Sequence, residues 1–196
     1  MSVQLSFTVC SSANCDQLIF TETTGAYSGT NLTGWNAPNV LAANAETATL
    51  TVTSPDLTVT VINLFTEVPA WPSTDTTQEF IITPSMIGAT TTKFSDGVYT
   101  FLYTVTRTTA TAFSYTQTVQ QLFYCNAKCC VTTLFANIDD WECDCNKVKI
   151  NEAYQADILL RALQRASKCG NTTSFTKTLT LINNLCSTTS TCTSCG

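Results

Sequence analysis

The chain has 196 residues, of which 44% are hydrophobic, 12% are charged, 39 are threonine and none is histidine. This composition excludes a coiled coil and a disordered acidic chain, and the lack of histidine excludes every mechanism that requires an imidazole base or ligand. The net charge of −5 argues against a nucleic-acid groove, which requires clustered lysine and arginine. Since no catalytic signature is present, we predict a non-enzymatic protein without a cofactor.

Charge and cysteine content divide the sequence near residue 125. Residues 1–124 carry two basic and eight acidic side chains, a net charge of −6, and two of the 11 cysteines. Residues 125–196 carry seven basic and six acidic side chains, a net charge of +1, and the other nine cysteines. This shift predicts two domains that meet at this point.

Apolar and polar residues alternate through the first domain, which predicts β-strands. A first strand covers residues 3–9, and Leu50 and Val52 mark another. Later alternating sets are Leu57, Val59 and Val61, then Tyr99, Phe101, Tyr103 and Val105, then Phe113, Tyr115, Val119 and Phe123. Several short strands with turn signals between them predict an immunoglobulin-like antiparallel β-sandwich over residues 1–124.

Apolar residues recur at helical spacing in the second domain. Asn146 is expected to cap a helix that runs to Cys169 and stops at Gly170, and Asn171 or Thr172 opens the next helix. The three predicted apolar stripes are Val131, Leu134, Phe135 and Ile138; Ala156, Leu159, Leu160, Leu163 and Ala166; and Phe175, Leu179, Ile182 and Cys186. The predicted fold class is therefore α+β, with a small cysteine-rich helical domain that ends in a flexible tail.

The nine cysteines of the second domain allow three interpretations, namely disulfides, a zinc site or reduced buried thiols. Candidate disulfide cysteines are Cys125, Cys129, Cys130, Cys143, Cys145, Cys169 and Cys186. Cys169 and Cys186 end adjacent predicted helices, so they can pair, and Cys129 or Cys130 can meet Cys143 or Cys145. Cys192 and Cys195 alone have C-x-x-C spacing, and no second such pair accompanies them, so a zinc site is not favoured. An odd number of cysteines requires at least one thiol outside an internal pair.

The N-terminal sequence bears on the cellular compartment. Residues 1–20 contain neither a basic region nor an unbroken apolar run, so no signal peptide is predicted. No apolar stretch reaches the length of a membrane span, so no membrane partner is expected. Many cysteines without a signal peptide fit a protein that assembles in a cytosol and is released later.

A long glycine-containing connection over residues 21–39 carries two aromatic residues, Tyr27 and Trp35. Loops of this length are uncommon in compact domains and are often functional. Tyr27 and Trp35 are candidate anchors for contact with a neighbouring subunit. An ordinary loop that covers the edge of the sandwich is the alternative interpretation.

Several motifs spread over nearly the whole chain resemble those of one family. They are FTVCSS (7–12), TTGAY (23–27), GWNAPN (34–39), ATLTV (48–52), DGVYTFLY (96–103), CNAKCCV (125–131) and CDC (143–145). In these motifs the chain resembles structural proteins of tailed bacteriophages of the crAss-like group, which infect Bacteroidetes.

This resemblance implies a virion component near the neck or tail, one subunit of a homo-oligomeric ring around the DNA exit channel. It implies assembly in the host cytoplasm, contact with other neck, tail or portal proteins, no sequence-specific nucleic-acid binding and no catalytic residues. The alternative function is an adhesion or binding module of a host-exposed fibre or surface protein.

Overall fold

A computed structural model describes residues 5–11, 15–24, 47–67, 77–107, 113–138 and 147–189. The fold is mixed α and β, with antiparallel sheets and helices. Its contacts divide the chain into two compact units, Met1–Phe94 with Tyr99–Gln121 and Ser95–Val98 with Leu122–Gly196. The first is called the β unit and the second the helical unit below.

In the described parts of the chain, seven strands form two sheets. They are β1 (Leu5–Ser11), β2 (Leu18–Thr24), β3 (Thr47–Thr53), β4 (Val59–Asn63), β5 (Thr77–Ile82), β6 (Gly97–Arg107) and β7 (Phe113–Phe123). One sheet has the order β1-β2-β5 and the other the order β4-β3-β6-β7. Strand β2 is antiparallel to β1 and β5, and β3 is antiparallel to β4 and β6.

The alternation predicted for β3 and β6 is confirmed by burial. Leu50 and Val52 are buried on β3, as are Phe101 and Tyr103 on β6, whereas Thr51 is partly exposed and Leu102 is exposed. The Phe101 ring meets the Phe20 ring of β2 edge-on, with ring centroids 5.0 Å apart. Phe20 and Phe101 therefore bring residues of the two sheets together in one aromatic core.

The alternating set at Leu57, Val59 and Val61 faces solvent. Within β4 the buried side chain is that of Ile62, and Val59 and Val61 point to the opposite side. Leu57 lies in the turn before the strand. Alternation shows that residues share a face of a strand, but it does not show which face the core covers.

Both units contain helical segments, but most of them lie in the helical unit. The helices among the described residues are α1 (Leu64–Glu67), α2 (Cys125–Ala136), α3 (Lys147–Lys168) and α4 (Thr172–Thr189), and a 3₁₀ turn covers Pro84–Ile87. Helix α1 and the 3₁₀ turn belong to the β unit, and the other three helices belong to the helical unit.

The predicted boundary between α3 and α4 is confirmed. Gly170 has a φ of 63°, its N–H donates to the Ser167 carbonyl, and the Asn171 N–H donates to the Ala166 carbonyl. These are the bonds of a Schellman motif, in which glycine tolerates the left-handed conformation. The Asn171 side-chain oxygen then accepts the Ser174 N–H at 3.0 Å, which caps α4. The predicted cap Asn146 lies outside the described residues.

The core of the helical unit follows the predicted stripes with three exceptions. Its buried members are Ala127, Cys130, Val131, Leu134, Ile138, Ala153, Ala156, Leu160, Leu163, Ala166, Phe175, Leu179 and Ile182. Leu159 and Cys186 are only half-buried. Phe135 is exposed at the edge of the unit, where its ring packs edge-on against Tyr154. The predicted stripes were thus slightly too wide, because a helix presents only part of its circumference to its neighbours.

Candidate interaction surfaces

Several predicted site residues lie outside the described parts of the chain. They are Tyr27, Trp35, Cys143, Cys145, Cys192 and Cys195. Within the described residues, no group of three or more aspartate, glutamate or cysteine side chains is placed to hold a metal ion.

One disulfide among the described cysteines differs from the predicted pairs. Cys130 of α2 is disulfide-bonded to Cys186 of α4, with Cα atoms 6.2 Å apart. Cys125 and Cys129 are also disulfide-bonded, as is Cys15 in the β unit. Cys169 is free and exposed, so the predicted Cys169–Cys186 pair is wrong, as is a pair of Cys130 with Cys143 or Cys145. A pair of Cys129 with Cys143 or Cys145 stays a prediction.

The helical hairpin gives the reason for this correction. Cys169 directly follows α3 and lies near the first turn of α4, which begins at Thr172. Cys186 lies near the other end of α4, about 20 Å along the axis at 1.5 Å per residue. A disulfide requires Cα atoms within about 7 Å of each other, so Cys186 bonds to the neighbouring helix instead.

A carboxylate distant in sequence caps α2. The N-cap residue Tyr124 makes no side-chain cap bond. Instead, Asp96 accepts the Asn126 N–H at 3.0 Å through one oxygen and the Ala127 N–H at 2.7 Å through the other. Burial raises the pKa of Asp96 above its ordinary value of 3.8, although the N–H groups of Ala127, Asn126 and Cys125 act in the opposite direction. No local pattern in the sequence identifies this cap, because Asp96 precedes the helix by the whole of β6 and β7.

Replacement of Asp96 by alanine is expected to destabilise the helical unit by about 2 kcal/mol, because two helix N–H groups lose their acceptor. Urea denaturation followed by circular dichroism at 222 nm measures the effect. Asp157→Ala, which removes an exposed ion pair with Arg161 within α3, is the matched control and is expected to cost less than about 0.5 kcal/mol. Equal losses in the two variants would contradict the capping role.

The raised pKa of Asp96 makes the stability of the helical unit depend on pH. Because its pKa is raised on folding, the folded state holds the proton more tightly, and ionisation of Asp96 reduces stability. This contribution is present below pH 3.8 and is lost as the pH rises through the raised pKa. Asp96→Asn cannot ionise, so the stability of the wild type relative to this variant is expected to fall across that interval in denaturation curves. A difference in the free energy of unfolding between the two proteins that stays constant with pH would contradict this prediction.

The hairpin that joins β3 to β4 exposes an unusual group of apolar side chains. The exposed fraction is 80% for Leu57 and 59% for both Val59 and Val61. In the turn, the Leu57 N–H donates to the Ser54 carbonyl at 2.9 Å, and Leu57 has a φ of 69°. The neighbouring Asp56 accepts the Thr58 N–H at 3.1 Å. Asp56 and Leu57 are called the hairpin tip below.

The outer face of the four-stranded sheet continues from this hairpin. In the pairing register, Val61, Thr51 and Leu102 form one row, and Val59, Thr53 and Thr100 form the next. On β3, β4 and β6 the outward residues are Thr47, Thr49, Thr51, Thr53, Val59, Val61, Asn63, Thr100, Leu102, Thr104 and Thr106. None of these side chains is charged. Threonine suits such a surface, because its branched carbon favours the strand and its hydroxyl remains hydrated.

An apolar groove of about 520 Å³ lies between α3 and α4 in the helical unit. Its lining residues are Gln155, Ile158, Leu159, Leu181, Asn184 and Leu185. Ile158 is 66% exposed and Leu181 is 52% exposed, so both are open to solvent. The predicted stripes did not indicate this groove, since Ile158 and Leu181 fall outside both of them.

None of the described helices combines the length and apolar character that a membrane span requires. Comparisons of the chain with protein-family models, curated proteins and solved structures found no match.

Proposed function

We propose that the protein is a non-enzymatic structural subunit of an oligomeric ring in a phage neck or tail. The observation that carries the proposal is the uncharged outer face of the four-stranded sheet, which ends at the exposed Leu57, Val59 and Val61. Proteins commonly place charged residues on an edge strand to prevent association, and β4 has none. The exposed Leu57, Val59 and Val61 form an apolar patch, and such a patch favours contact with another protein.

The assembly and its location come from the resemblance to crAss-like phage structural proteins. On this proposal the subunit contacts other copies and further neck, tail or portal proteins, and it reaches the virion after assembly in the host cytoplasm. The net charge of −5 supports a channel wall past which DNA moves without sequence-specific binding. The disulfides form when the particle leaves the reducing cytoplasm.

The finer fold assignment belongs to the same proposal. The contact of Phe20 on β2 with Phe101 on β6 supports two facing sheets, and we propose that they form an immunoglobulin-like sandwich. Sandwiches of this type present their edge strands and outer faces to other subunits, which suits a ring component.

Native mass spectrometry of the oxidised full chain, together with negative-stain electron microscopy, tests the function. We expect one closed oligomer with a single subunit count and a ring-shaped projection with a central opening. A monomer at concentrations well above the micromolar range would contradict the proposal. A monomer that retains a ligand would instead support the adhesion or binding module.

A further inference from the structure

We infer that neighbouring subunits join by insertion of the hairpin tip of one copy into the α3–α4 groove of the next. This inference rests on the proposed function, because it specifies the contact that would build the ring. It commits the groove to one occupant, a second copy of this chain.

The backbone conformation of Leu57 is the first argument. Its positive φ places it in the left-handed region, and turns that require this conformation usually contain glycine or asparagine. A leucine is sterically strained in this region, and its side chain is 80% exposed, so it gains little from burial within the subunit. Insertion into a partner would bury this side chain, which the isolated subunit leaves in solvent.

The chemistry of the groove is the second argument. Four of its lining residues are aliphatic, namely Ile158, Leu159, Leu181 and Leu185. A volume of about 520 Å³ exceeds that of one leucine side chain, so the groove has room for Leu57. Burial of this side chain against the groove would remove apolar surface from water on both partners.

Charge complementarity is the third argument and sets the direction of docking. Arg165 lies two helical turns after Ile158 on the same side of α3, and Lys177 lies one turn before Leu181 on α4. Because the turn at Gly170 folds α4 back along α3, both cations lie at the same end of the groove. Neither forms an ion pair with another described residue. The carboxylate of Asp56, beside Leu57, is a suitable partner for this end.

The two surfaces lie on different units of the subunit. The hairpin tip belongs to the β unit and the groove belongs to the helical unit, so each copy carries one of each. In the proposed ring a single tip–groove pair joins each two neighbouring copies, so the contact is heterologous, and heterologous contacts produce closed rings when the rotation between subunits closes.

The first test uses Leu57→Gly and Leu181→Asp in the oxidised full chain. Leu57→Gly removes the inserted side chain and supplies the residue that the turn prefers, so the thermal midpoint is expected to remain unchanged or rise. We expect association at least about tenfold weaker in each variant, as measured by sedimentation equilibrium. Ile81→Thr, which changes another exposed apolar residue on a strand, is the control and is expected to retain wild-type assembly.

Mixing the two variants gives the sharper test. Leu57→Gly retains an intact groove and Leu181→Asp retains an intact hairpin tip, so together they are expected to form a one-to-one dimer that grows no further. A wild-type ring that persists in Leu57→Gly, or a mixture without this dimer, would overturn the inference and leave the ring proposal standing. A monomeric wild type would overturn both.

A charge exchange tests the direction of docking. Asp56→Lys is expected to weaken association about tenfold, and adding Arg165→Glu and Lys177→Glu to the same chain is expected to restore it. Absence of rescue, with all variants folded by circular dichroism, would overturn the assigned orientation.

Discussion

Loss of the disulfide between Cys130 and Cys186 is expected to lower the free energy of unfolding of the helical unit by about 4 kcal/mol. The bond joins residues separated by 56 positions and therefore closes a long loop, which strongly restricts the unfolded chain. It also connects α2 to α4 within the core, since Cys130 is buried among the residues of the helical cluster. Its removal takes away the covalent connection between α2 and α4.

Urea denaturation compares the double variant, which carries both Cys130→Ala and Cys186→Ala, with the parent protein. Mutation is preferable to a reductant, because Cys125 and Cys129 are also disulfide-bonded and would be reduced together with this pair. Cys169→Ser serves as the background in both proteins, because it removes the free exposed thiol that could exchange with the disulfides. A loss below about 1 kcal/mol would show that α2 and α4 are held by packing alone.

Truncation of Phe101 to alanine is expected to destabilise the β unit by about 3–5 kcal/mol. The ring is fully buried, contacts Phe20 edge-on at 5.0 Å and stacks on Tyr99 at 6.2 Å. The variant therefore leaves a cavity and removes aromatic contacts that connect strands of the two sheets.

Leu102→Ala is the matched control for this effect. Leu102 is the next residue on β6, points to the outer face and is 39% exposed, so its truncation is expected to cost less than about 1 kcal/mol. Hydrogen exchange of peptides from β3 and β6 reports the loss within the β unit. Similar losses of protection in the two variants would show that the contacts of the Phe101 ring do not stabilise the core of the β unit.

The predicted elements are most accurate where the signal is local. Threonine and apolar residues alternate along β3 with a period of two, and the structure buries Leu50 and Val52 as this pattern predicts. The boundary at Gly170 and Asn171 depends on bonds within a few residues, so the sequence is sufficient to locate it.

The candidate surfaces were harder to predict. The hairpin was predicted as part of an alternating strand, but the exposure of Leu57 depends on which side of the sheet the core covers. The α3–α4 groove depends on how closely two helices approach each other. Neither quantity is contained in the periodicity of one segment.

The sequence by itself determined the types of β1, β3, β4, β6 and β7 and of the helices in the helical unit, because backbone periodicity and capping act over a few neighbouring residues. It did not single out β2, β5 or α1, and residues 21–24 of β2 fall within the connection predicted over residues 21–39. Only the tertiary structure decided that Cys186 bonds to Cys130, that Asp96 caps α2 and that Val59 and Val61 face solvent. The two contacts join residues 56 and 31 positions apart, and the orientation of β4 depends on its sheet. All three follow from how elements pack against one another, and that packing is a property of the whole chain.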